Sequence, residues 1–179
     1  MAQLHSPPEV AWICGLLAAD GSWLDRARNE LQSRLGHVGQ VSPVWDFQST
    51  RYYTQQMGPS LLRQFVTFDW PGQAETLAEV KVATNQLEAN LAGRCDHPPR
   101  PVNLDPGYIA LPKLVLASCK NFSHRIYIGR GVFAEVTLMW QQGRWRSLEW
   151  TFPDYRSGRY FDFFTEVRDR LAAGKAGSA

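Results

Sequence analysis

Between Asn103 and Arg156 the chain carries most of the side chains that could do chemistry. Lys120, His124 and Arg125 fall in one short stretch. Two cations beside an imidazole make an electropositive corner suited to a phosphate or a carboxylate. His124 can exchange a proton near neutral pH, or serve only to cap a loop by bonding to backbone. Glu135 lies in a strand and can orient Arg125 toward a ligand, or simply pair with it across the sheet. Asp105 precedes Pro106-Gly107, where an Asx turn would occupy its side chain locally; the rival role is contact with a ribose hydroxyl or a metal. Asp105, Glu135 and Asp154 are oxygen donors for a divalent ion, but no spacing links them and no metal site is predicted. In Asp154-Tyr155-Arg156, Asp154 or Ser157 can cap the last helix while Arg156 points back toward Arg125. Tyr53, Tyr108 and Tyr155 can stack on a ligand or donate a hydrogen bond to it. Lys81 and Asn85 stand i, i+4 on a helix beside its apolar stripe, where a solvated face is the ordinary explanation. Cys119 near His124 is a candidate nucleophile and base, but its apolar, helix-like setting predicts an inert buried thiol.

These groups must be held by a chain of 179 residues, 44% apolar and 20% charged, which is ordinary for a soluble globular protein. Aromatic residues make up 12%, with seven Trp, which favours a fold containing a sheet. A net charge of +2 with no basic stripe gives no electrostatic grip on nucleic acid. Three widely spaced Cys form neither a disulfide framework nor a zinc motif. The N-terminus lacks a basic region followed by an apolar one, and the apolar run Val10 to Ala19 is too short to span a bilayer. The expectation is a soluble protein of the reducing cytoplasm.

The elements follow from periodicity and punctuation. Val10 to Leu17 suits a buried strand. A helix with Ser22 as its N-cap carries Leu24, Ala27, Leu31 and Leu35 and stops at Gly36. Val41 to Phe47 reads as a strand, Gln48 to Ser60 as a loop with room for a helical turn, and Leu62 to Trp70 as a strand ended by Pro71-Gly72. Leu77, Val80, Thr84, Leu87 and Leu91 mark a helix closed by Gly93, and a strand near Pro101 to Asp105 completes a split β-α-β arrangement. Leu111 to Cys119 fits a short helix slightly better than a strand. Strands follow at Ile126 to Ile128, Val132 to Trp140 and Arg144 to Trp150, then a helix from Ser157 through Leu171. The fold class is therefore α+β: a ferredoxin-like core with an antiparallel sheet, extended by C-terminal hairpins and a terminal helix. One domain over residues 1–179 is expected, frayed at 1–8 and 173–179, with a mobile linker at 94–100. In the hairpin around Gly129 to Gly131, a three-residue loop pairs Ile128 with Val132 and Ile126 with Ala134. That register sets Arg125 opposite Glu135, and a one-residue slip would mix the two faces.

Several stretches together resemble a bacterial family known as domain of unknown function 4416. They include Asp46-Phe47 with Tyr52-Tyr53 and Met57-Gly58; Asn103-Leu104-Asp105-Pro106-Gly107-Tyr108; Lys113 to Ala117; Ser123-His124-Arg125-Ile126-Tyr127; Ala134 to Leu138; and Trp150 to Ser157. The resemblance implies a domain of family-typical length and no established activity. Some relatives carry a loose GTP-binding label, yet this chain has neither a G-x-x-x-x-G-K-[ST] loop nor an Asn-Lys-x-Asp stretch. Gln56 stands where the family leads one to expect Glu, which puts a catalytic acid there in doubt, and Arg130 stands in a turn where Asp is expected.

The residues point to a domain that binds an anionic small molecule, phosphorylated or nucleotide-like. Lys120, His124, Arg125 and Arg156 would act as donors, and His124 would move any proton. Alanine at His124 or Arg125 is then expected to abolish binding with little change in melting temperature. The rival expectation is a protein-interaction or scaffold module using Trp140, Trp145 and Trp150 as its contact surface. Cofactor, oligomeric state and partners are not specified by the sequence.

Overall fold

A strand that is apolar at every position must be covered on both faces, and Val10–Ala18 (β1) is buried along its whole length. In the computed structural model, which describes residues 3–5, 7–48 and 54–174, two layers of helix provide that cover. Trp12, Cys14, Leu16 and Ala18 face Gly21–Leu35 (α1) and Leu77–Ala92 (α3), the second and longer of which follows the short Thr54–Met57 (α2). Ala11 and Ile13 face Pro153–Arg156 (α4) and Phe161–Ala172 (α5) on the other side.

The remaining strands are Val38–Val41 (β2), Trp45–Phe47 (β3), Leu61–Gly72 (β4), Val102–Ala110 (β5), Lys113–Ser118 (β6), Ile126–Gly129 (β7), Val132–Gln141 (β8) and Arg144–Ser147 (β9). Among the described residues they form one antiparallel nine-stranded sheet with the order β2-β4-β1-β5-β6-β8-β7; β3 pairs with β4 and β9 with β8. The first part, β1-α1-β2-β4-α3-β5, is the split β-α-β core expected from the sequence, and the hairpins extend it beyond β5. No helix among the described residues is long and apolar enough to cross a membrane.

Four local expectations are corrected. Asp20, not Ser22, caps α1: its Oδ1 accepts from the Trp23 N–H at 3.1 Å and from the Ser22 hydroxyl at 2.8 Å. The single strand expected over Val41 to Phe47 is two, β2 and β3, because Pro43 has no N–H to continue a ladder. Leu111 to Cys119 contributes the strand β6, not a helix. Leu114 and Leu116 pack toward α5 while Val115 and Ala117 pack toward α3, and burial on both faces erases the period that distinguishes strand from helix. Ser157 is not the N-cap of the last helix; it is the C-cap of α4, donates its hydroxyl to the Asp154 carbonyl at 2.6 Å, and precedes Gly158, whose φ of +83° turns the chain into α5.

The β7–β8 register keeps Ile126 opposite Ala134 and Tyr127 opposite Phe133. The loop is tighter than expected, with Gly129 rather than Ile128 opposite Val132. Gly129, Arg130 and Gly131 take φ of 102°, 55° and 74°, the left-handed region where two glycines relieve the strain.

Candidate functional site

The site begins with a sheet that opens. The β5–β6 ladder runs from Ala110↔Lys113 to Gly107↔Leu116 and stops, while β6 stays paired with β8 as far as Ser118. Leu104 turns its peptide groups toward the gap. Its N–H donates to Glu88 Oε1 at 2.8 Å and its carbonyl accepts from Lys81 Nζ at 2.8 Å. Two residues along the strand, Pro106 faces the same side, where a ladder would need the N–H that proline lacks. Side chains of α3 thus satisfy the edge that β6 abandons. Arg100 completes this wall by donating to Glu88 Oε2 at 2.7 Å and to Asn103 Oδ1. Burial pushes the Glu88 carboxyl up, with Lys81 and Arg100 opposing the shift.

The gap holds a cavity of about 550 Å³, within the range typical of small-molecule sites. Its lining comes from both helical layers. Arg63, Lys81, Arg100, Lys120 and Arg125 bring five cations against the three carboxylates of Asp105, Glu135 and Asp154, while Phe47, Phe152 and the Tyr155 ring supply apolar wall.

At the inner end Arg63 is 3% accessible and bridges two carboxylates: Nη1 lies 3.2 Å from Asp105 Oδ2 and Nη2 3.3 Å from Asp154 Oδ2. Its guanidinium also lies over Phe47 at 5.1 Å. Burial works against its charge, but the Asp154 and Asp105 carboxylates outweigh that and hold it protonated. The two carboxylates part company. Burial alone would raise Asp105, yet Arg63 and Lys81 pull it below its ordinary value; burial raises Asp154, and Arg63 offsets this only in part because the charge of Asp105 adds to it. Tyr155 is held among Phe65, Tyr160 and Phe164 at 5.7, 5.7 and 5.9 Å between ring centroids. Burial pushes its hydroxyl well above the usual value, so it remains a neutral donor. Gly15 makes room here: a Cβ would lie 3.2 Å from Arg63 Nη1 and 3.3 Å from the Tyr155 hydroxyl.

Three buried polar atoms of these lining residues have no hydrogen-bond partner among the described residues: Arg63 Nε, Asn103 Nδ2 and the Tyr155 hydroxyl. Asn103 Nδ2 feels the Asp105 carboxylate electrostatically without a well-formed hydrogen bond to it. All three can donate, and an unmatched buried donor is costly.

At the outer end Glu135 is a node. Its side chain is 1% accessible, and Oε2 accepts from Arg125 Nε at 2.7 Å and lies 3.1 Å from His124 Nε2. Thr137 donates to its other oxygen at 3.3 Å. Arg125 Nη1 reaches Ser118 Oγ at 2.9 Å and the Lys120 carbonyl at 2.8 Å, so it pins the end of β6. His124 stacks on Trp150 at 5.1 Å with 9° between planes.

Of the residues proposed from sequence as ligand contacts, the cavity brings together Asp105, Lys120, Arg125, Glu135 and Tyr155; Lys81, Asn85, Cys119 and Asp154, given other readings there, also line it. His124 stands outside its wall, reaching it only through Glu135. Arg156 is also outside; its Nη2 contacts the carbonyls of Leu148, Glu149 and Thr151 and holds that turn. Tyr108 packs edge-on against Trp12 at 6.1 Å, under α3, and Tyr53 lies outside the described residues. The Asx turn expected at Asp105 is replaced by a mid-strand position and the ion pair to Arg63. Lys81, read as part of a solvated face, is 6% accessible. Cys119, read as buried, is exposed on the cavity rim. Arg63 was missed; a charged residue beside Gln64 in the middle of the strand segment Leu61 to Val66 was the available signal. Among the described residues no three His, Cys, Asp or Glu side chains are grouped to hold a metal ion. Trp145 is buried, Trp140 lies under the Arg168 guanidinium at 4.3 Å, and Trp150 donates to the Val136 carbonyl at 2.8 Å.

Fold and site define the class: an α+β protein with a ferredoxin-like core, an extended antiparallel sheet and a charged cavity where that sheet opens. The chain belongs to the family described as domain of unknown function DUF4416, whose model matches residues 8–171. No curated protein and no solved structure matches it.

Proposed function

We propose that this protein binds an anionic small molecule, phosphorylated or nucleotide-like, in the cavity between β5 and β6. The observation that carries this reading is the set of unmatched donors on the wall, Arg63 Nε, Asn103 Nδ2 and the Tyr155 hydroxyl. A ligand oxygen supplies the acceptor each lacks. The excess of cations over carboxylates favours a negative ligand, and Phe47 and Phe152 give a ring somewhere to lie. Lys120 and Arg125 act from the rim, and Glu135 positions Arg125. His124 acts through Glu135 and is a positioning residue. Trp145 is buried and Trp140 lies under Arg168, so of these three only Trp150 offers an exposed ring to the alternative, a Trp-surfaced interaction module.

A thermal-shift panel of pyrophosphate, nucleotides, sugar phosphates, small carboxylates and divalent metals tests the reading. An anion at 100 times its Kd adds about 2.7 kcal/mol and raises Tm by roughly 5–10 °C. The shift is expected to shrink in Lys120→Glu and Tyr155→Phe. No shift with any anion, or a shift that both variants retain, overturns it.

A further inference from the structure

Cys119 follows the last residue of β6, where the chain leaves the sheet, and its exposed thiol is on the cavity rim. Asn85 Nδ2 donates to its sulfur at 3.0 Å. The other two thiols are placed differently. Cys14 is fully buried and its thiol is pushed up by that burial; Cys95 is half-buried and away from the cavity lining. A single exposed thiol selects nothing by itself, but this one opens onto a space lined by Lys81, Lys120 and Arg125. The same space holds the unmatched Asn103 Nδ2 and Tyr155 hydroxyl, on residues 4% and 2% accessible, which call for an acceptor from outside the chain.

We propose that Cys119 is a covalent modification site that forms a mixed disulfide with an anionic low-molecular-weight disulfide, whose carboxylates lie among the cations of the cavity. The thiol gives its proton to solvent and the thiolate attacks one sulfur of the small disulfide. The new Sγ–S bond forms as the old S–S bond breaks, and the departing thiolate takes up a proton. Cys119 is oxidised and half of the reagent is reduced, so electrons balance without another partner. The adduct fills the cavity and is removed by thiol reductant. The proposal shares with the proposed function the charge of the cavity and the Asn103 and Tyr155 donors, but it needs no reversible ligand.

The test uses the reduced full chain with two probes at equal concentration and neutral pH: oxidised glutathione, which is anionic, and cystamine, which is cationic. Intact mass and peptide mapping locate the adduct. The expected result is modification at Cys119 ahead of Cys95. Relative to an unstructured cysteine peptide, oxidised glutathione is favoured over cystamine by about tenfold, a preference lost in high salt. Lys120→Glu, at an exposed position, is expected to reverse it. Equal rates at Cys95 and Cys119, or no preference for the anionic probe, overturns the proposal. A thermal-shift panel without anion hits beside an intact anionic preference would remove the ligand reading and leave this one standing.

Discussion

Tyr155→Phe should stabilise the ligand-free protein while weakening its ligand. The Tyr155 hydroxyl is buried, neutral and unmatched by any acceptor among the described residues, while its ring packs against Phe65, Tyr160 and Phe164. A buried polar group left without a partner costs about 1–3 kcal/mol. Phenylalanine keeps the ring contacts and removes that penalty, and the small void left near Gly15 gives part of it back. The expected net gain is about 1 kcal/mol, or about 2–4 °C in Tm for a chain of this size. Urea titration followed by far-ultraviolet circular dichroism measures it, with an unchanged slope showing that both proteins unfold the same way. An anion found in the thermal-shift panel should bind about tenfold more weakly, the equivalent of one lost hydrogen bond. Tyr160→Phe is the control: its hydroxyl lies 3.5 Å from Asp154 Oδ2, so the same change there brings no gain. A loss of about 1 kcal/mol or more in Tyr155→Phe, at unchanged slope, would show that the hydroxyl is already matched and would remove the basis of the proposed function.

The acid limb of the stability profile should bend. Asp154 and Glu88 have raised folded values, so as pH falls through them the folded state takes up protons first and stability rises toward their ordinary values of 3.8 and 4.5. Asp105 is lowered, so stability falls once pH drops below 3.8, as the unfolded chain protonates there first; Asp154→Asn should flatten the rise and keep the fall. Arg125→Ala should cost about 3 kcal/mol, against the small change expected from sequence, because it leaves the buried Glu135 with only His124 and the Thr137 hydroxyl. His124→Ala should cost about 1 kcal/mol, since Arg125 remains, and equal losses in the two variants by chemical denaturation would refute that ranking. Gly107→Ala should cost about 3 kcal/mol or more: its Cβ would meet the Val115 carbonyl oxygen at 2.2 Å, and a variant of wild-type Tm would mean that β6 is free to move away.

The fold was legible wherever one face of an element is polar. The stripe Leu77, Val80, Thr84, Leu87, Leu91 and the alternation Ile126 to Ala134 each left one arrangement that buries the apolar set. Leu111 to Cys119 was illegible because β6 is covered on both sides, so its sequence carries no period. The outer half of the site was readable from a hairpin register that brings Arg125 to Glu135 over ten residues. The inner half was not. Arg63 finds Asp105 across 42 residues of chain, a pairing that depends on three strands and a glycine in β1 taking their places first. Lys81 looked solvated because a helical wheel knows its own stripe and not the missing strand opposite; it is buried only because β6 turns away and leaves Leu104 needing a donor.

That substitution bears on whether the opening is a site or a packing fault. A sheet that parts by accident leaves backbone N–H and carbonyl groups unmatched, at a cost comparable to a lost hydrogen bond for each. Here the edge groups of Leu104 are matched by Glu88 and Lys81, Pro106 has no N–H to lose, and Arg125 holds Ser118 and Lys120 on the far side. The edge groups along the opening are therefore matched by the protein's own side chains. The unmatched atoms among the lining residues are side-chain donors, Arg63 Nε, Asn103 Nδ2 and the Tyr155 hydroxyl, held beside an ion triad and an aromatic cluster. A satisfied rim around an unsatisfied interior supports the proposed reading of the opening as a ligand site. The cost of holding those donors is met before binding, and an acceptor that reaches all three recovers it.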